Sequence, residues 1–213
     1  MIKIKDIIEI PKENEITSVE DHHGEFMHNL IKDNNLKSTL EIGFAYGKSG
    51  AYIMSATQGH HVAIDPFQDD FKNIGVENIG RIGLSQHLEL HRDFSHMVLP
   101  QLLKEDRRFD FVFIDGDHRF DGIFIDFYYS DLLLNPGGFI LFHDTWMRST
   151  CMVESFIRNN RKDYKYIKIK ENNLCLIQKV GKDNREWMHF KEFYTLKSFW
   201  AYKMTIKKLK LKN

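Results

Sequence analysis

Short apolar runs alternate with amphipathic stretches along this chain, and the alternation repeats five times before its character changes. Thr39, Leu40, Ile42 and Phe44 read as a buried strand. A turn bearing Gly43 and Gly47 follows, then a helix over roughly 48–58 closed by Gly59. His61 to Pro66 is a second apolar run, which the proline stops. Residues 72–85 have helical spacing but carry Gly75, Gly80 and Gly83, which predicts a broken element. His87-Leu-Glu-Leu-His91 alternates as a third strand. Ser95 is placed to cap a helix carrying Met97, Leu99, Leu102 and Leu103, with Pro100 in its early part. The dense run Phe109–Ile114 suits a parallel strand buried on both faces. A helix over roughly 119–134, a turn at Asn135-Pro136-Gly137-Gly138, a strand Phe139–Phe142 and a helix over about 149–160 complete the alternation. Tyr164–Lys170 and Leu174–Lys179, joined by Glu171-Asn172-Asn173, read as a hairpin. The prediction is an α/β, doubly wound, mostly parallel sheet with helices on both faces and a C-terminal antiparallel hairpin.

Both flanks differ from this core. Residues 1–17 are polar and mixed, with Pro11 breaking any helix, and predict a strand or an irregular arm. Ser18-Val-Glu-Asp21 has capping-box form, and Phe26, Met27, Leu30 and Ile31 then fall at helical spacing up to Asp33-Asn34-Asn35. Past Val180, aromatic and apolar residues from Trp187 to Leu211 recur at near-helical spacing among lysines. The expected division is an arm and helix over 1–35, a core over 36–180 and a basic amphipathic extension over 181–213.

Composition sharpens that division. The formal net charge of the 213 residues is zero, yet residues 181–213 carry nine Lys/Arg against three Asp/Glu, a net of +6, which leaves −6 on residues 1–180. An acidic body argues against a nucleic-acid substrate. The extension reads as an extra helix packing on the body or as a contact between copies. An acidic partner or a membrane surface is the competing reading of its basic face. Two cysteines, Cys151 and Cys175, without metal-ligand spacing suit a reducing, cytoplasmic setting. No stretch is long and apolar enough to span a bilayer, and the charged N-terminus lacks a leader's apolar run.

In a doubly wound sheet, ligands bind beyond the carboxyl ends of the strands. Those ends carry Glu41 and Gly43, Asp65, Asp93, Asp115 with His118, and His143 with Asp144. Turn-forming aspartate accounts for any one of these more easily than for all five. Glu41-x-Gly43-x-x-x-Gly47, leading to Ser49 in the first helical turn, departs from the dinucleotide fingerprint. A carboxylate just before the first glycine disfavours a phosphate and suits a cationic or hydroxyl-rich ligand. Asp65 follows at about the spacing at which an acid holds ribose hydroxyls. A nucleoside lacking phosphate and bearing positive charge describes S-adenosylmethionine.

With those motifs in place, residues 38–144 resemble a class I S-adenosylmethionine-dependent methyltransferase. The resemblance is carried by Leu-Glu-Ile-Gly-Phe-Ala-Tyr-Gly at 40–47, Ala-Ile-Asp-Pro at 63–66, Asp93-Phe94-Ser95, Phe-Val-Phe-Ile-Asp-Gly-Asp-His at 111–118, and Leu-Asn-Pro-Gly-Gly-Phe-Ile at 134–140. It implies seven strands, the hairpin supplying the last two. It also implies that Glu41, Gly43, Phe44, Gly47 and Ser49 line the methionine side, that Asp65 binds the ribose, and that Asp93 with Phe94 borders the adenine. Asp-Gly-Asp-His and His-Asp further resemble the small-molecule O-methyltransferases, including catechol-type and methyltransferase-24-like enzymes. That likeness implies Mg²⁺ or another divalent cation at Asp115 and Asp144, with Thr145 standing where the family has Asn. His118 lies where catechol-type enzymes carry a catalytic lysine. It reads as a general base, or as a cap or supporting group for the next helix. His143 can serve as the base or as a hydrogen-bonded residue at its strand end. His22 and His23 read as surface residues or substrate-pocket walls. The implied acceptor is a small hydroxylated molecule. Hydroxylase-like chemistry, aminopropyl transfer and a non-catalytic binding module are the alternatives on the same fold.

Overall fold

Phe111, Val112, Phe113 and Ile114 are all buried, and they lie on the middle strand of a seven-stranded sheet. The computed structural model describes residues 4–57 and 59–193. Its strands are β1 (Ser38–Ile42), β2 (His60–Ile64), β3 (Leu88–His91), β4 (Phe109–Ile114), β5 (Leu134–Phe142), β6 (Tyr164–Ile167) and β7 (Cys175–Lys179). They are ordered β3-β2-β1-β4-β5-β7-β6. β1 to β5 pair in parallel, and β7 runs antiparallel to both β5 and β6. The predicted doubly wound sheet with its terminal hairpin is therefore present. Strand order reverses between β1 and β4, and that reversal opens a crevice at their carboxyl ends.

The helices are α1 (Asp21–Asp33), α2 (Lys48–Ala56), α3 (Ile74–Ile82), α4 (Ser95–Lys104), α5 (Phe120–Leu133) and α6 (Arg148–Asn160). Successive side chains of β4 point to opposite faces. Phe111 and Phe113 pack with Met27 and Ile31 of α1 and Ile53 of α2. Val112 and Ile114 pack with Leu99 of α4, Ile123 and Phe127 of α5 and Val153 of α6. Each such side chain, removed from water, contributes about 1.5–3 kcal/mol before entropy is counted. That two-sided burial is why β4 reads as an unbroken apolar run.

Several local expectations change. Residues 4–17 hold two short 3₁₀ turns, Ile4–Asp6 and Lys12–Thr17, rather than a strand. α1 begins at Asp21 with Glu20 as its extended N-cap, so Ser18 caps nothing. α2 stops at Ala56, because the Thr57 hydroxyl reaches back to the carbonyls of Leu36 and Lys37 and draws the chain into extended geometry. α3 is unbroken, and Gly83 ends it in the left-handed conformation. Ser95 is the first residue of α4 and Phe94 is the N-cap. Asn135–Gly138 does not separate α5 from β5. Pairing with β4 already starts at Leu134, jumps to Phe139, and leaves the four residues as a bulge inside the strand. β6 ends at Ile167, so the hairpin loop is longer than the three residues expected. The described part of the C-terminal extension, residues 181–193, forms no helix; Phe193 packs edge-on to Phe156 of α6. The rest of that amphipathic pattern lies outside the described residues.

At the sheet edge away from the crevice, the buried Arg161 holds three groups together. It donates to Asp131 (2.8 Å) and Asp163 (2.6 and 2.9 Å), while the Tyr164 hydroxyl and Lys179 also bond Asp131 (2.7 and 3.2 Å). The guanidinium is held above its ordinary pKa by these carboxylates against the opposing effect of burial. Cys151 is buried and Cys175 half-buried. Among the described residues, no helix is long and apolar enough to cross a membrane.

Candidate functional site

The turn after β1 is held open by backbone, not by side chains. Gly43 has φ +92°, and a Cβ there would drive into the Asp115 carbonyl at the end of β4. Gly47, at φ +73°, is the N-cap of α2, and a Cβ would meet Gly75 and Phe44 at 2.9 Å. Phe44 itself is buried among these glycines. The Asp65 carboxylate organises the turn from the end of β2. Its Oδ2 accepts from the N–H groups of Phe44 (3.0 Å) and Ala45 (2.6 Å) and from Gln68 (3.2 Å), and its Oδ1 accepts from Phe67 N–H (2.8 Å).

Glu41 lies beneath this turn, fully buried with Ser49 nearby. Its Oε2 is 3.2 Å from His61 Nε2, and His61 Nδ1 is 2.9 Å from the Thr39 hydroxyl. All three side chains are without solvent contact, so this relay is a buried support. Burial pushes the Glu41 carboxyl above its ordinary range, with His61 pulling the other way. Asp93 and Phe94 stand apart, exposed at the end of β3. The Phe94 ring meets the exposed Phe67 ring edge-on at 5.9 Å. The two rings are in direct edge-to-face contact and leave an exposed aromatic surface at the ends of β2 and β3.

The ends of β4 and β5 bring four predicted residues together. His118 Nε2 is 2.9 Å from Asp144 Oδ2 and 3.7 Å from Asp115 Oδ1. His143 Nδ1 is 3.2 Å from Asp115 Oδ1 and 3.4 Å from Asp144 Oδ1, at ion-pairing distance without hydrogen-bond geometry. Burial works to raise the Asp115 pKa, but His118 and His143 outweigh it and the carboxyl sits below its usual range. His118 is raised, chiefly by Asp115 and further by Asp144, against burial. Burial lowers His143, yet Asp115 and Asp144 carry it upward overall. His118 does not cap α5, where Arg119 is the N-cap, and its imidazole turns toward the carboxylates instead.

Donor atoms of Asp115, His118 and Asp144 all lie within 4.8 Å of one another, a separation that one divalent ion can bridge. Two carboxylates and an imidazole fit a divalent cation. Thr145 sits on the wall of a groove of about 370 Å³ formed with α6 and the β6–β7 hairpin.

Two contributors, Trp146 and Asn173, escaped the sequence reading. Asp144 is in the left-handed conformation (φ +52°), and its Oδ1 accepts from Trp146 Nε1 and Asn173 Nδ2, both at 3.0 Å. His23 is buried rather than at the surface. Its Nε2 is 2.8 Å from the Asn172 carbonyl, and its ring lies 5.4 Å from that of His143. His22 is half-exposed and lines a groove of about 570 Å³ with Glu20, Asp21 and Lys48, beside the donor turn. Only the paired histidines at 22–23 and the asparagines at 172–173 could have drawn attention in the sequence, and neither pair has a spacing that specifies a site.

Residues 40–145 match a family model described as a methyltransferase domain. Caffeoyl-CoA O-methyltransferase 2 of Petunia hybrida is 31% identical over 99 residues, and the namesake of Eucalyptus globulus is 29% identical over 99; each match covers 44% of this chain and 40% of the relative. The match thus spans less than half the length of these relatives. Among solved structures, the O-methyltransferase TomG of Streptomyces achromogenes, in complex with S-adenosylmethionine, superposes with a TM-score of 0.68 at 18% identity, covering 85% of this chain and all of that one. An O-methyltransferase of Bacillus cereus bound to S-adenosylhomocysteine gives 0.66 at 18%, covering 84% and 95%.

Proposed function

We propose that this protein, a class I methyltransferase by its domain over residues 40–145, moves a methyl group from S-adenosylmethionine to a hydroxyl of a small molecule. The observation that carries the reading is the meeting of Asp115, His118 and Asp144 beside a glycine turn whose N–H groups Asp65 organises. In this reading the Gly43–Gly47 turn seats the methionine end of the donor, with Glu41 and Ser49 supporting it from below. Asp65 stands next to the ribose, and Phe67 with Phe94 and Asp93 borders the adenine.

The sulfonium methyl is already activated, so the chain's main task is alignment, which supplies up to about 7–11 kcal/mol. Asp115 and Asp144 orient the acceptor. Their charge holds His118 ready to take the acceptor proton, with His143 behind Asp115 as its support. A divalent cation held at Asp115 and Asp144 would supply Lewis acidity that lowers the pKa of an acceptor hydroxyl. The half-exposed groove beside α1 and α2 gives the acceptor its approach. Residues 1–35 contribute walls to the acceptor side and residues 36–180 bind the donor. Self-association through 181–213 and a cytoplasmic location belong to the same reading, supported by the basic run there and by a chain with only two cysteines.

The test is a calorimetric titration of S-adenosylmethionine into the full chain, with Mg²⁺ and with a chelator, followed by turnover against phenolic and sugar acceptors. Saturable donor binding in both media, with turnover suppressed by chelator, is the expected result. Absence of donor binding overturns the reading, and full turnover in chelator removes the cation from it.

A further inference from the structure

The β6–β7 loop reaches the acid cluster through one side chain. Asn173 lies at φ +64°, a conformation that asparagine tolerates better than most residues. Its Nδ2 donates to Asp144 Oδ1 at 3.0 Å, and its Oδ1 is buried with no hydrogen-bond partner. An amide oxygen left unpaired in the interior is destabilising unless something occupies it. The loop around it is clamped. The Asn172 carbonyl meets buried His23 at 2.8 Å, Leu174 is buried, and Thr145 N–H points to the Asn173 carbonyl at 3.5 Å. Asn173 is therefore carried on a fixed segment, beside the carboxylate that ends β5.

Resting on the methyl-transfer reading above, we infer that Asn173 is a cation ligand of this site, its side-chain oxygen supplying the neutral donor that β5 lacks because Thr145 stands where an asparagine would follow Asp144. Half a turn of the terminal amide exchanges Nδ2 and Oδ1. The oxygen gives up no bond in that turn, since it has none, and it takes the place 3.0 Å from Asp144 Oδ1. Two adjacent ligands on one ion with bonds of about 2.1 Å are roughly 3 Å apart, so the spacing is that of neighbouring donors to one cation. Asp115, Asp144 and Asn173 then form an all-oxygen set, which suits Mg²⁺ or Mn²⁺. His118 is left outside it as the proton acceptor. Without a cation the same amide turns its N–H to Asp144 and keeps that carboxylate in place. The donor set would thus come from three segments, the ends of β4 and β5 and the hairpin loop, where a sequence motif spans only the first two.

The experiment measures Mn²⁺ binding by electron paramagnetic resonance of the free ion, using the full chain with S-adenosylmethionine present. Asn173→Gly removes the amide and keeps the positive φ without strain. Asn173→Asp restores an oxygen of the same reach. Asn173→Gly is expected to weaken Mn²⁺ binding about 10-fold or more, on the scale seen when a group that orients a metal site is lost. Asn173→Asp is expected to bind at least as tightly as the native chain, with donor affinity alike in all three. Mn²⁺ affinity within twofold of native in Asn173→Gly overturns the inference. So does Asn173→Asp binding as weakly as the glycine variant, and so does a native chain that binds donor but no Mn²⁺. Loss of donor binding in the native chain would instead overturn the methyl-transfer reading.

Discussion

Two groups of aspartates flank the same sheet, one beyond the carboxyl ends of the central strands β4 and β5 and one just before the edge strand β6, and they are neutralised in different ways. Asp131 and Asp163 face Arg161 and Lys179, which carry permanent charge, and every distance in that cluster is short. Among the described residues, Asp115 and Asp144 face as cations only His118 and His143, whose charge depends on a proton that the two carboxylates favour, at distances up to 3.7 Å. The first group is closed: its charges are matched and its bonds made, so its work is structural. The second keeps charge that only a proton, a cation or a ligand can balance. Aspartate alone does not mark a site; the kind of positive charge set against it does.

Removing charge from the second group has the largest expected consequence. Asp144→Asn keeps the shape and tolerates the left-handed backbone, yet turnover should fall roughly 10²–10⁴-fold. Donor affinity should stay within about twofold. Initial rates of S-adenosylhomocysteine release together with donor titration check this, and a parallel loss of donor binding would erase the distinction between the two ends of the site. At the closed group, Arg161→Ala leaves the buried Asp163 without its cation and Asp131 with Lys179 alone, and should cost about 3–5 kcal/mol of stability. Urea unfolding measures it, and folded protein should retain full donor affinity. A small stability change there would mean that matched charge is not what holds that edge.

A third acid sharpens the comparison, with a smaller effect. Asp126 of α5 is buried with neither oxygen hydrogen-bonded, and burial pushes its pKa from 3.8 to about 7. Between those values the folded chain keeps a proton that the unfolded chain has released. Stability therefore falls as pH rises from 3.8 toward 7, and the loss is complete above that. Asp126→Asn should flatten that part of the profile and raise the melting temperature clearly more at pH 8 than at pH 5. Equal shifts at both pH values would show that the acid is not protonated in the fold.

The sheet was largely legible in the sequence because its strands are buried on both faces, so that Phe109–Ile114 could be bounded to the residue. Asp65 and Asp115 were legible for a related reason, since each follows an apolar run directly. What escaped depends on loop paths and on pairing. Asn135–Gly138 has strong turn chemistry, yet sheet pairing on either side absorbs it as a bulge. Asn173 and Trp146 carry no periodic signal, and only the three-dimensional path of the hairpin loop places them on Asp144. His23 sat among polar neighbours and read as surface or as a pocket wall, and the loop it clamps buries it.

The contact between Gly43 and the Asp115 carbonyl has a mechanical consequence. The seat proposed for the donor and the acid proposed for the acceptor touch through main chain alone, on adjacent strands that pair residue for residue from Thr39–Phe111 to Ile42–Ile114. The gap between the two reactants is then ruled by the strand repeat of a sheet, a length that side-chain substitutions hardly alter. Changes of acceptor in such a scaffold must be written in the surrounding loops, while the distance across which the methyl travels stays built into the fold.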